Sequence, residues 1–539
     1  MTAADHMPDL WRVHANPLFV KGVRMRLRIK PLVGWCVVTL TLVVFITAST
    51  YLAATERMGA TPADGARAIM IPLLVIQGLI LMLLGTGAIA SGIARERDSG
   101  VFDYVRLTPL SPASKMIGYL YGLPVREYLL FALTVPFTVF AIIVGGISPF
   151  KAAHLYVVFF SSVTLYHLTG MVAGMTAQRP WRATAVSQGM VLVLYLFLPR
   201  LSALGFNTFE FLTVLPVFGA MIADEIDPGA QYVREYSQGV PFFTLRIHPT
   251  LYTLAIQGGL IFTFAVIVRR QWQQANRPVL GKAFAVGLLA GVQLLLLGNL
   301  WPQLRGGQFN AELVREMARR FGERGAGGAL ISVFTWALIG LALALVLVHL
   351  VAPDKAAYLR GLRRARKLQL PRMALGHDTA SATPVALALA AVLVVGYGLV
   401  LMPITGRGLL PENAPLVAAA LPVSIAAFVL YAHAARELLG PRGFFMLGFG
   451  LWVVPLMIML VMSISADTLV TPGLYIAAPS PPAFAYYISA WMFGIYHLDE
   501  ASHLPALAGL STVVNVGLAV VFIRALRRWQ RRLRAAEQA

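Results

Sequence analysis

Residues 95–118 read RERDSGVFDYVRLTPLSPASKMIG, a polar hinge wedged between two long apolar runs. Arg95, Glu96, Arg97, Asp98, Asp103, Arg106 and Lys115 crowd into it, with Gly100, Pro109 and Pro112 set among them. The chain around it is very different. Its 539 residues are 58% hydrophobic and 13% charged, with a mean hydropathy of +0.72, whereas a soluble globular domain carries roughly a quarter charged residues. Apolar runs of about 20 residues, enough to cross a roughly 30 Å hydrocarbon core at 1.5 Å per residue, recur along the whole length. The expected fold class is therefore all-α: a polytopic helical membrane protein with about twelve transmembrane helices and short cytoplasmic interfacial helices.

Hydropathy places spans at 32–54, 67–94, 115–146, 152–177, 183–205, 250–269, 282–302, 328–352, 384–405, 414–434, 443–466 and 505–526. The formal charge of +20 resembles that of a nucleic-acid binder, but in a membrane chain basic residues report orientation. With the N-terminus in the cytoplasm, the connections from Arg95 to Lys115, Gln178 to Arg182, Arg269 to Lys282, Lys355 to Arg372 and Arg436 to Arg442 fall inside, as does the tail from Arg524 to Arg534. Nearly every basic cluster then shares one side, which predicts an inner-membrane protein with both termini cytoplasmic and no nucleic-acid partner. The opposite connections, 206–249 and 467–504, carry Glu210, Asp224, Glu225, Asp227 and Glu235, and Asp467, Asp499 and Glu500. Arg315, Arg319 and Arg320 are the exception, partly balanced by Glu312, Glu316 and Glu323. Segment 467–504 is apolar but interrupted by Pro479, Pro481 and Pro482, which suits a re-entrant or interfacial hairpin better than a straight span. The same holds for 206–223.

The N-terminal 22 residues contain no apolar signal core and no small-residue cleavage site, so the first span is expected to act as its own insertion signal. Just before it, NPLFVKGVRMRLRIK puts Lys21, Arg24 and Arg28 on one helical face and Phe19, Val23 and Leu27 on another, an interfacial helix for an anionic leaflet. Arg26 and Lys30 interrupt that pattern. Cys36 is the single cysteine, which excludes an intrachain disulfide and a cysteine-based metal site.

Within the hinge, Asp98-Ser99-Gly100 supplies a helix stop, Val101, Phe102 and Val105 form a short apolar stripe, and Ser111-Pro112 makes an N-cap and first-turn pair for the next helix. A short amphipathic helix parallel to the membrane is expected, one that would show Phe102 and Tyr104 to water unless something covers them. These residues resemble the segment after the second helix of type-2 ABC exporter permeases. Glu96, Gly100, Thr108, Pro109, Leu110, Ser111 and Lys115 stand where that family has its acidic residue, glycine, Thr-Pro-Leu-Ser turn and basic residue. NPLFVKGVRMRLR likewise resembles the family's elbow helix. The resemblance covers about 1–270 in six-span form; Val101 departs from it, since the family usually has threonine or serine after the glycine. It implies a transport subunit coupled to a separate ABC ATP-binding subunit, in which the helix near 99–108 docks in a cleft of that partner, braced by Glu96 and Arg97. A homo- or heterodimer of permeases is also implied.

The expected organisation is a cytoplasmic N-terminus and elbow over 1–31, a six-helix core over 32–282 with the hinge at 95–115, a two-helix connector over 283–355, and a second membrane region over 356–539 with a basic tail from 524. In that second region LRGLRRARK at 359–367 echoes the elbow and AARELLGPRGFF at 434–445 echoes the hinge, with Arg436, Glu437 and Gly440 as a second hinge. A degenerate repeat and chance similarity both fit.

No GxxxxGK[ST] phosphate loop is present, and the single Gly-Lys pair, Gly281-Lys282, lacks the upstream glycine. Any ATPase must be another polypeptide, and this chain is expected to bind no cofactor, with ATP held by the partner. A non-transporting scaffold or regulatory subunit that docks an ATPase is the first alternative. A membrane-embedded enzyme is the second; HExxH and GxSxG arrangements are absent, His433 and Glu437 form only an i,i+4 pair, and His497, Asp499 and His503 in HLDEASH are the one candidate metal set. Charges inside the hydrocarbon cost several kcal/mol, so Arg126 and Glu127 in the third span form a candidate intramembrane polar site, with Gln77, Gln188, Gln257 and Gln293 as scattered intramembrane amides.

Overall fold

The computed structural model describes residues 13–177, 179–204, 206–223, 239–273, 278–306, 326–370, 373–405, 419–492 and 503–538. Eleven helices among these are long and apolar enough to cross a membrane, and the chain is an all-α multi-pass membrane protein. Burial is inverted as lipid demands. In α2 (Ile29–Arg57) the inward positions are Thr39, Val43 and Thr47, while Val33, Val37, Val38 and Phe45 face outward. Thr47 returns its hydroxyl to the carbonyl of Val43 at 2.7 Å, so it crosses with no unpaired donor.

Chain contacts divide the molecule into two units, the first running to Asn276 and the second from Arg277, which also takes 203–206 and 242–244. The first opens with α1 (Pro17–Arg26), capped by Asn16, whose side chain accepts from the Leu18 amide. It continues through α2, α3 (Pro62–Asp98), α4 (Val101–Leu107), α5 (Pro112–Gly122), α6 (Val125–Gly145), α7 (Pro149–Thr176), α8 (Pro180–Ser202) and the short α9 (Leu215–Met221), and closes with α10 (Pro249–Gln273). Prolines stand in the first turn of α1, α3, α5, α7 and α8, where the missing N–H costs nothing. A two-stranded hairpin, β1 (Val240–Phe242) and β2 (Leu245–Ile247), precedes α10. Residues 206–223 form only short helical turns, pinned where Tyr166 donates to the Leu212 carbonyl at 2.8 Å.

The second unit holds α11 (Lys282–Gly306), α12 (Ala326–Val351), α13 (Lys355–Lys367), α14 (Thr383–Thr405), α15 (Ala420–Ser465), α16 (Val470–Ala477), α17 (Pro481–Met492) and α18 (Leu504–Gln538). Helices α11 and α12, expected as a connector, pack here against α14 and α15. At 46 residues, α15 would be about 69 Å long if straight, more than twice the hydrocarbon thickness. It breaks at Gly440, where φ is 71° and ψ −177°. Trp452 then donates its indole N–H to the Tyr431 hydroxyl at 2.6 Å across 21 residues, a separation that an unbroken helix would stretch to about 31 Å. The chain thus doubles back, and α15 supplies two passes where 414–434 and 443–466 were expected. Helices α16 and α17, 8 and 12 residues long, are each too short to cross, in keeping with the proline-broken segment read from the sequence.

Candidate functional site: the two glycine hinges

At the first hinge the helix break at Gly100 and the N-cap at Ser111 fall where cap chemistry puts them, with one reversal. Helix α3 ends at Asp98, Gly100 takes φ 76° and ψ −6°, and α4 leaves in a new direction. That left-handed turn is costly for any residue with a Cβ. Thr108, Pro109 and Leu110 carry the chain to Ser111, whose hydroxyl accepts from the Ser114 amide at 3.1 Å, with Pro112 opening α5.

The reversal concerns Phe102. It is buried rather than shown to water, with its ring 4.4 Å from that of Trp272 at the end of α10, and Tyr119 stacks on the same indole at 5.4 Å. The chain covers Phe102 itself. The outward face of α4 is instead Val101, Asp103, Tyr104 and Leu107, with Tyr104 72% and Leu107 85% exposed. Arg106 lies over the Phe102 ring at 4.6 Å and pairs with Asp103 at 2.6 Å.

One side chain bonds α4 directly, and three more tie together the helices around it. Lys115, buried, donates to the carbonyls of Arg106 at 3.0 Å and Thr108 at 3.2 Å, satisfying acceptors left open at the end of α4. Glu96 accepts from Lys21 of α1 at 2.7 Å and from the Tyr119 hydroxyl. Arg97 donates to the carbonyls of Met175, at 2.9 Å, and Ala177 at the end of α7. Asn16 reaches from the cap of α1 to the Ser114 carbonyl at 2.8 Å.

Arg126 and Glu127 belong to this assembly. Glu127 is fully buried, and its Oε1 accepts from Arg126 at 2.5 Å and from Arg26 of α1 at 3.1 Å. Arg126 also lies 4.7 Å from the Trp35 ring. Arg26, which broke the amphipathic pattern in the sequence, is the inward anchor of the elbow. Burial lowers its guanidinium pKa, opposed by the Glu127 carboxylate. The pair braces α1 against α2 and α6.

The second hinge also turns at a positive-φ glycine, but with an extended ψ of −177° in place of −6° and with another purpose. Gly440 turns at φ 71°, but Pro441 leads straight into the returning pass with no intervening short helix. Arg436 and Glu437 are both buried. Arg436 bonds Asp354, the cap of α13, at 3.2 Å and His349 Nδ1 at 3.2 Å. Glu437 accepts from the Ala382 amide at 2.6 Å, from the Ser381 hydroxyl at 3.0 Å and from Gln530 at 3.3 Å. His433 meets Thr383 at 3.0 Å, so the i,i+4 pair is absorbed in local bonding. Lys282, also buried, gathers the carbonyls of Leu375, His377, Ala380 and Ser381 within 3.2 Å. Helix α13 is no elbow of the α1 kind: Tyr358 stacks on Trp529 at 5.8 Å, while Arg363 and Arg366 reach Glu537 further along α18, so α13 runs alongside α18.

Sequence reasoning missed Trp272 and Tyr119, placed Lys21 on the basic face of the elbow without its pairing to Glu96, and inside the first unit missed His167. That imidazole bonds the Leu81 carbonyl at 2.9 Å and Tyr128 at 3.3 Å, and Leu81 lies in a π-helical stretch, Leu79–Gly85, where widened turns free backbone carbonyls. Gln188 uses the Leu83 carbonyl at 3.3 Å; Gln77 bonds Thr134 and Thr138, both at 2.9 Å, and Gln257 bonds Ser162 at 2.9 Å. The Gln293 amide has no hydrogen-bond partner among the described residues. Of the candidate metal set, His497 and Asp499 lie outside the described residues, as do Asp224, Glu225, Asp227, Glu235 and Glu500 of the acidic connections and the Arg315, Arg319 and Arg320 cluster. His503 meets Tyr475 at 3.2 Å. Among the described residues no group of three His, Cys, Asp or Glu could hold a metal ion. No family model, no curated protein and no solved structure matches the chain.

Proposed function

We propose that this chain is the membrane-spanning permease subunit of an ABC-type export system, set in the inner membrane with both termini in the cytoplasm. It would couple ATP hydrolysis on a separate ATP-binding subunit to movement of a substrate across the bilayer. The observation that carries this reading is the two-sided build of α4. Its inner side is held by Trp272, Tyr119 and Lys115, while its outer side offers Tyr104 and Leu107 without cover from this chain. A seven-residue helix held so firmly behind and left apolar in front is suited to being gripped.

Force applied to it has a route inward. Glu96 and Arg97 lie on the last turn of α3, which spans 37 residues with a π-helical stretch at Leu79–Gly85, and they tie that turn to α1, α5 and α7. A push on α4 would therefore tilt several spans together instead of bending one loop.

Crosslinking tests this. A photoreactive phenylalanine analogue at position 104 or 107 should capture a polypeptide containing a nucleotide-binding phosphate loop, identified by mass spectrometry, while the same analogue at position 102 should capture only this chain. Capture at 102 and none at 104 or 107 would sink the proposal.

A further inference from the structure

The outward face of α1 carries a feature that the hinge does not use. Pro17, Val20, Lys21, Arg24, Met25 and Arg28 line an open concavity of about 680 Å³. Lys21 and Arg24 stand one turn apart on α1, and Arg28, the extended residue that leads into α2, brings a third charge to the same concavity. Val20 and Met25 supply apolar wall beside them. Among the described residues neither Arg24 nor Arg28 meets a carboxylate, whereas Arg26 points the other way into Glu127.

The start of the first span sets the height of this concavity. Helix α1 ends at Arg26 and α2 begins at Ile29, with Ile29 78% and Val33 54% exposed, as lipid-facing positions are. Three cations one short link from the hydrocarbon, with apolar wall alongside, suit the phosphate of an anionic lipid whose acyl chains lie against α2. A free phosphate would use the cations and ignore Val20 and Met25.

We propose that the outer face of α1, together with the link that joins it to α2, is a phosphate site for an anionic phospholipid, and that Lys21 divides its charge between that phosphate and Glu96 of the hinge. A lysine ammonium has three donors, and Glu96 takes one at 2.7 Å. The bound headgroup would thereby sit one side chain from the last turn of α3, and lipid composition would bear directly on how tightly α1 holds the hinge. The site stands whether or not α4 is gripped by an ATPase, and its test needs no partner.

Purified full-length chain would be titrated with phosphatidylglycerol and phosphatidylcholine by native mass spectrometry, and with inorganic phosphate by calorimetry. Phosphatidylglycerol should bind in preference to phosphatidylcholine, whose choline cancels the charge. The exposed double substitution Arg24→Gln with Arg28→Gln should weaken phosphatidylglycerol binding by about tenfold or more. Glu96→Gln should strengthen it about twofold to threefold by ending the competition for Lys21. Undiminished binding by the double variant would overturn the site, and unchanged affinity in Glu96→Gln would overturn the link to the hinge. Inorganic phosphate binding as tightly as the lipid would overturn the choice of ligand.

Discussion

Gly100 and Gly440 share a positive φ, 76° and 71°, but not ψ, −6° against −177°; each follows a helical turn that carries adjacent Glu and Arg, yet they serve opposite ends. After Gly100 the chain spends seven residues on a helix whose outer face is bare. After Gly440 it spends none. Glu96 reaches a half-exposed contact with Lys21 and Tyr119, whereas Glu437 is enclosed and satisfies the backbone at the start of α14. A positive-φ glycine after a charged pair is thus a way to reverse a helix. Whether the reversal makes a handle or a clasp depends on what is inserted after it and on whether the carboxylate is buried.

The contrast can be broken by substitution, and the largest effect should come from the clasp. Glu437→Ala leaves the Ala382 amide and the Ser381 hydroxyl without their acceptor and should cost about 3–4 kcal/mol in denaturant unfolding of the detergent-solubilised chain. Glu96→Ala, which loses the pairing with exposed Lys21 and leaves the Tyr119 hydroxyl without its acceptor, should cost about 1–2 kcal/mol; equal losses would erase the distinction. Next comes the inner side of α4, where Phe102→Ala should cost about 3 kcal/mol, measured the same way. If Phe102→Ala proved neutral, the Trp272 contact would not be what seats α4.

The glycines should differ from each other as well. Gly440, with ψ −177°, lies in a region almost closed to other residues, so Gly440→Asn should cost about 2–3 kcal/mol. Gly100, with ψ −6°, lies where asparagine is tolerated, and Gly100→Asn should cost under about 1 kcal/mol by thermal unfolding. The smallest effect on stability belongs to the outer face: Tyr104→Ala should stay within about 0.5 kcal/mol of the parent while weakening capture of the ATP-binding subunit. A large loss of stability there would mean that Tyr104 packs within the chain.

Much of this was legible in the sequence. The multiple passes come from run length and hydropathy, and the Ser111-Pro112 start of α5 and the stop at Gly100 come from cap chemistry. The two sides of α4 did not. A seven-residue helix with Val101, Phe102, Tyr104, Val105 and Leu107 is apolar nearly all round, and the residue that selects Phe102 as the inner one is Trp272, in a helix far along the chain. Arg26 interrupted a wheel pattern because its partner, the buried Glu127, lies 101 residues on. The second hinge resembled the first in letters, since Glu437 and Gly440 echo Glu96 and Gly100. What differs is burial, set by Asp354, Ser381 and Gln530, each dozens of residues distant.

The most direct test is the side of the membrane that Tyr104 faces, and what covers it there. With Cys36→Ser and Tyr104→Cys in one chain, a membrane-impermeant maleimide should react in inside-out vesicles stripped of peripheral proteins, should fail to react in right-side-out vesicles, and should be blocked when the ATP-binding subunit is restored. Reaction from the outer face, or no protection on restoring that subunit, would contradict a cytosolic grip on α4.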